Sequence, residues 1–218
     1  MRLTALALAT ALLWLAYQAG LAGIAGIYGD SAAHHLRQMQ GNAALAAEYA
    51  AEGTRKIAVA RNHAPSDADY ALLAATFSAA DGHFDDAISP LREGLADTPV
   101  RPDLWSALAS YSYQAQGATT GTLHALDSAL YFGPREYDTQ LANATIILGA
   151  GSRLDEARRV RGWHDLVEAM AIPELSQRIL AIAGDAGLER QLQTQLREQA
   201  AARAVLEQRE QREQRRED

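Results

Sequence analysis

Residues 70–99 read YALLAATFSAADGHFDDAISPLREGLADTP, and residues 105–134 read WSALASYSYQAQGATTGTLHALDSALYFGP. Tyr70, Leu73, Ala74, Gly82, Ile88, Leu91, Leu95 and Pro99 return 35 positions on as Trp105, Leu108, Ala109, Gly117, Leu123, Leu126, Leu130 and Pro134. A period of this length, with a large residue, a small partner, a mid-repeat Gly and a closing Pro, predicts a helical hairpin stacked on its own copy. Small residues let two helices approach, and Gly permits the tight turn between them. Such arrays work through their surfaces.

Outward from this core the chain stays helical in character. Ala is abundant, aromatic residues make up 6% of the 218 residues, and no alternating strand pattern occurs, so the expected fold class is all-α. The chain has no Cys, which excludes disulfides and thiolate metal sites. A net charge of -7 argues against nucleic acid as a partner. Lys56 is the single Lys among twenty Lys and Arg residues.

Before the repeats, Leu3 to Tyr28 carries no charge and is long enough to cross a bilayer, which takes ~20 apolar residues. The segment is expected to be a transmembrane helix. A cleaved signal peptide, with Gly20-Leu21-Ala22 or Gly23-Ile24-Ala25 as its site, is the second reading and a buried soluble helix the third. Arg2 alone precedes it, so the short flank stays in the cytoplasm and the rest of the chain lies in the periplasm. Ala19, Ala22, Gly23 and Gly26 form small-xxx-small pairs, which Ala/Gly-rich composition explains. Ser31 to Asn62 reads as helix interrupted at Gly41-Asn42 and Gly53, a degenerate first hairpin or capping helix.

Ser66-Asp67-Ala68-Asp69 has the form of a capping box for a helix to Ala80. Asp81-Gly82 closes that helix and Phe84 opens its partner, in which Pro90 demands a late start or a bend. Pro102 suits the first position of the next helix. Trp105–Gln116 and Thr120–Tyr131 form the second hairpin, with Trp105 expected in the core. In a looser third unit, Leu141, Ala144, Ile147 and Leu148 make one apolar face, and Leu154, Ala157, Val160, Trp163 and Val167 the next. Pro173 starts a further helix. Leu188, Leu192 and Leu196 then form a stripe that packs back on the array, and Glu207 to Asp218 is polar throughout. The expected organisation is an anchor over 1–30, connecting or capping helices over 31–65, repeats over 66–187 and a polar helix or tail over 188–218.

At Gly82-His83-Phe84-Asp85-Asp86-Ala87-Ile88, and on through Leu91, Leu95 and Pro99, the chain resembles the tetratricopeptide (TPR) repeat family. Trp105, Leu108, Ala109, Gly117 and Pro134 continue the likeness, which covers roughly residues 43 to 170. The resemblance implies a short helical-hairpin solenoid that binds proteins. The chain departs from the pattern at Ser112, where the family carries an aromatic, and at Thr119 and Thr122, where its first unit has Phe84 and Ala87. The layout, with Ala129 to Glu136 and Trp163 to Leu196, also resembles small membrane-anchored accessory proteins of bacterial exopolysaccharide and capsule assembly.

No catalytic constellation is visible. His34-His35 point to different sides of a helix. Asp81, His83, Asp85 and Asp86 lack the spacing of a Ca²⁺ loop and fit the repeat turn instead. Gly149-Ala150-Gly151-Ser152 follows a helix rather than a strand, so it is a turn and not a phosphate loop. No cofactor, metal or enzymatic activity is expected. The inner face of the array is assigned to Ala68, Ala71, Ala75, Ser78 and Ala79, then Asp103, Ser106, Ser110, Tyr113 and Gln114. Contact candidates are Tyr111, Tyr113, Asp103 and Gln114, since Tyr gives large contact area at low entropy cost, together with Arg158 and Arg159 of an Arg-rich stripe. The partners expected are other envelope or membrane proteins. The leading expectation is a single-pass inner-membrane scaffold for polysaccharide biosynthesis or export. The alternative is an accessory subunit or assembly factor of a respiratory or photosynthetic membrane complex.

Overall fold

The computed structural model describes residues 2–41, 45–185 and 187–198. Glu207 to Asp218 lies outside the described residues. The described residues are mostly helical, with no strand among them. The helices are α1 (Arg2–Gly41), α2 (Ala46–His63), α3 (Ala68–Ala80), α4 (Phe84–Asp97), α5 (Pro102–Gln116), α6 (Thr120–Phe132), α7 (Tyr137–Ala150), α8 (Glu156–Ala169) and α9 (Pro173–Asp185). Residues 189–198 form a further helical segment, α10. The chain divides into two compact units, Met1–Gly133 and Pro134–Asp218.

The first unit is a series of antiparallel hairpins. In α1, residues 7–24 are exposed except for the half-buried Leu21, whereas Ala25, Gly29 and Ala32 are buried. The same unbroken helix is therefore exposed along one part and packed on one face along the other. Its stretch Ala7–Met39 is long and apolar enough to span a membrane or serve as a signal sequence. The C-terminal half of α1 pairs with α2, and Ala32, Ile57, Ala60 and Phe77 form a small core flanked by Tyr28, Leu36, Tyr70 and Leu73. Gly53 does not interrupt α2. It is buried in mid-helix, where a Cβ would overlap the Phe77 ring, so it is a point of close approach and not a break.

The α3–α4 hairpin begins at Asp67, not Ser66. The Asp67 carboxylate accepts the Asp69 and Tyr70 amides at 2.9 and 3.2 Å, a cap that contributes about 1 kcal/mol. That leaves Asp69 free to pair elsewhere. Gly82, at φ 80°, turns the chain, and Gly117 does the same at φ 73° in the next hairpin. α4 neither starts late nor stops at Pro90, which is buried within it. Its buried face is Ala87, Ile88, Leu91, Gly94 and Leu95. At Gly94 a Cβ would come within 2.9 Å of the Ala71 Cβ, so α3 and α4 meet backbone to backbone. Ala68, Ala71 and Ala75, assigned to the inner face of the array, are consequently buried between helices.

The α5–α6 hairpin explains the two Thr departures. Thr119 caps α6 by accepting the Thr122 amide at 3.2 Å, and the Thr122 hydroxyl donates to the Gly117 carbonyl at 2.9 Å. A buried Thr thus satisfies the tight turn where the first repeat uses Ala87. Pro102 does open α5, at its first turn.

In the second unit α7 is the central helix, with Thr139, Ala142, Asn143, Ala144, Ile146, Ile147, Leu148 and Ala150 buried. Leu148 and Ala144 join Leu166, Ala169, Leu175, Ile179, Ala183 and Leu192 in one cluster. Leu188 and Leu196 pack against it, so the stripe on α10 does close over its neighbours. The α8 face differs from expectation. Gly162, Leu166 and Ala169 are buried, while Val160 is 59% exposed. Gly162 sits against the Ile147 side chain, and this closest approach sets the rotation of α8.

Candidate protein-interaction site

The first unit carries a cleft of about 340 Å³. Its floor is α5, through Trp105, Leu108 and Ser112; its walls are α4, through Arg92, Leu95 and Ala96, and α6, through Gly121 and His124. Three of its lining residues, Ala96, Ser112 and Gly121, are small, which leaves space beside Trp105. Ser112 stands where the TPR pattern supplies an aromatic, so that departure was the legible signal of a cavity.

Trp105 is not core. It is half-exposed, its indole N–H donates to the Pro99 carbonyl at 2.8 Å, and its ring meets His124 edge-on at 5.7 Å between centroids. The Pro99 bond fixes the indole to the inter-hairpin turn, and the His124 contact braces it against α6. Arg92 is exposed at the rim and makes no ion pair or hydrogen bond among the described residues. Such an arrangement suits a partner's apolar or aromatic side chain, with a carboxylate nearby to meet Arg92.

The residues singled out by sequence fall in several places. Tyr111 is half-buried and packs on Phe84 of the preceding hairpin, at 6.2 Å between centroids. Tyr113 is also half-buried, and Gln114 is exposed. Asp103 lies at the start of α5, held by Arg101. The Arg101 guanidinium donates to Asp103 at 2.8 and 2.6 Å and to Asp69 at 2.7 Å. Hydrogen bonds from Arg101 hold the Asp103 carboxyl below the usual range, against the opposing effect of burial. The same two carboxylates raise the Arg101 pKa. This triad ties the 98–101 turn to α3. Tyr111, Tyr113, Asp103 and Gln114 share α5 but not one face.

Arg158 and Arg159 belong to the second unit. Arg158 lies 3.8 Å from Asp155, and Arg159 pairs with Glu156. Arg159 also borders a surface cleft with Val160, Trp163, His164, Gln191 and Gln195, which accounts for the exposed Val160. Near it, burial pushes the Asp165 carboxyl up. Among the described residues no three His, Asp or Glu side chains are grouped to hold a metal ion.

No protein-family model matches the chain, and no curated protein matches it in sequence. Among solved structures, the crystal structure of MamA protein aligns with a TM-score of 0.58 at 14% identity, covering 80% of this chain and 88% of that one. MamA is a TPR-like helical protein, and the likeness shows a TPR-like fold here. The chain thus has an all-α, TPR-like fold.

Proposed function

We propose that the protein is a membrane-anchored, non-enzymatic scaffold of the bacterial envelope that holds other envelope or membrane proteins together. Residues 3–28 anchor it in the inner membrane as a single pass, and the repeats stand in the periplasm. The anchor occupies 1–30, connecting or capping helices over 31–65 join it to repeats over 66–187, and a polar helix or tail follows over 188–218. The observation that supports this most is the division of α1. Its exposed apolar part, residues 7–24, is about 27 Å long at ~1.5 Å per residue, close to the hydrocarbon thickness of a bilayer. It runs directly into a half that buries one face, at Ala25, Gly29 and Ala32, in the repeat unit.

The partner contacts are assigned to the Trp105 cleft with Arg92 and His124, to Tyr111, Tyr113, Asp103 and Gln114 beside it, and to Arg158 and Arg159. The pathway we favour is polysaccharide biosynthesis or export, on the resemblance of the chain's layout to accessory proteins of that process. The experiment is co-purification of the tagged full chain in mild detergent. Glycosyltransferases or export components in the eluate support the reading. Electron-transfer subunits would move it to a respiratory or photosynthetic complex, and a lone monomer at every salt concentration would overturn both. A reporter fused after Asp218 tests orientation: activity confined to the cytoplasm contradicts a periplasmic array.

A further inference from the structure

Four features of the first unit lie at one end of it. The first is the point where α1 leaves the domain, at Ala25 to Tyr28, beyond which residues 7–24 are exposed. The second is the start of α3: Gly29 of α1 sits against the ring of Tyr70, so the two are level. The third is the 98–101 turn, which Arg101 binds to Asp69 in the first turn of α3 at 2.7 Å. The fourth is the last turn of α6. Because α5 and α6 are antiparallel and of similar length, 15 and 13 residues, the end of α6 returns to the level at which α5 began.

That end is apolar. Outside α1, the exposed large hydrophobic side chains of the unit are Leu45, Val100 at 66%, Tyr131 at 81% and Phe132 at 39%. The last three all belong to it. Tyr131 and Phe132 meet edge-on at 5.1 Å between centroids, and Pro65 and Pro99 are exposed in the neighbouring turns. Three carboxylates at this end are engaged, Asp67 in capping α3 and Asp69 and Asp103 with Arg101, while Asp30 and Asp97 are exposed beside it. The opposite end carries the turns Asp81-Gly82-His83 and Gly117-Ala118-Thr119, which are small and polar.

We propose that this end rests on the bilayer that holds α1, with Val100, Tyr131 and Phe132 in the headgroup region. The proposal rests on the reading of α1 as a membrane anchor. No linker separates Ile24, exposed, from Ala25, buried, so the unit cannot swing clear of the membrane on a flexible tether. Aromatic rings with one polar and one apolar edge favour the interface, and a Tyr–Phe pair 81% and 39% exposed is costly in water. The contact is apolar, so it needs no anionic lipid. It would set the hairpins upright on the membrane.

The absence of Cys makes the test direct. Single-Cys variants Val100→Cys, Tyr131→Cys, Asp81→Cys and Leu12→Cys of the full chain are labelled with an environment-sensitive fluorophore. They are then reconstituted into phosphatidylcholine vesicles carrying nitroxide lipids. Labels at 100 and 131 are expected to lose most of their emission to headgroup nitroxides, and the label at 81 only to an aqueous quencher. The label at 12 should respond to acyl-chain nitroxides. If 100 and 131 behave like 81 while 12 remains in the acyl region, the surface contact is wrong and the anchor stands. If the label at 12 is quenched from water, the anchor reading fails and the contact with it.

Discussion

The Phe77 ring lies directly on the backbone of Gly53, joining α2 to α3 at the centre of the first unit's core. Two opposing effects decide what Gly53→Ala does. Replacing a mid-helix Gly gains up to about 1 kcal/mol of helix propensity. The new methyl must displace a fully buried ring, and overpacking of this kind costs about 1–3 kcal/mol. The overlap is with the ring of a packed aromatic rather than a flexible tip, so the steric term wins. Gly53→Ala is expected to lower the thermal midpoint in detergent, and Phe77→Leu in the same chain to recover part of the loss. A variant as stable as the parent would show that the contact is looser than the structure has it.

Trp105 carries the second prediction. Truncating a half-exposed Trp at the centre of a contact removes a typical hot-spot residue, worth about 2 kcal/mol or more. Trp105→Ala is therefore expected to cut partner recovery sharply while far-UV circular dichroism stays unchanged. Ser112→Phe approaches the same cleft from the other direction. It restores the aromatic of the TPR pattern, fills the cavity and should also block recovery. Undiminished recovery from both variants would remove the cleft from the binding surface.

How much of this was legible in the sequence depends on which property a residue reports. The 35-residue echo of Tyr70 to Pro134 exposed the hairpins, because its shared residues are contact positions between helices: Leu91, Leu108, Ala109 and Leu126 are all buried. Periodicity does not report rotation. Helix rotation is set where a Gly admits a close neighbour, at Gly94 against Ala71 and at Gly162 against the Ile147 side chain. Those contacts buried Ala68 and Ala71 and turned Val160 outward. Gly53 was misread for a related reason: a helix-breaking residue and a close-packing residue are the same letter. Trp105 matched a core position in the repeat, yet the smallness of Ser112, two turns on along the same face of α5, left it beside a cavity.

The Arg101 triad predicts a pH dependence. Asp103 has a depressed pKa in the folded chain, caused chiefly by the Arg101 hydrogen bonds. A depressed carboxyl contributes stability that is present above its unfolded pKa of about 3.9 and lost as pH falls through its folded value. Both partners are about one-third exposed, so the pair is worth about 1 kcal/mol or less. Arg101→Ala should therefore lower stability modestly at neutral pH, and its gap from the parent should close as pH falls well below 4. Paired thermal melts across that range measure it. A gap that stays constant would assign the effect to packing of the Arg101 stem.

In the second unit, Leu192 tests whether α10 belongs to the fold or merely follows it. Its side chain is fully buried among Leu166, Leu175 and Ile179, although every neighbour on its own helix from Glu189 to Gln193 is exposed. A polar helix of this kind has no reason to stay ordered in water except its single apolar stripe. Leu192→Ala removes the middle of that stripe and leaves a cavity, at a cost of about 2–5 kcal/mol. Gln193→Ala, one position on and exposed, should change stability by less than about 0.5 kcal/mol. Trp163 packs against the same cluster and reports the difference. Its emission should shift toward that of a solvated indole at lower denaturant in Leu192→Ala than in Gln193→Ala. Coincident transitions for the two variants would mean that α10 contributes nothing to the unit and that Leu192 is buried without stabilising it.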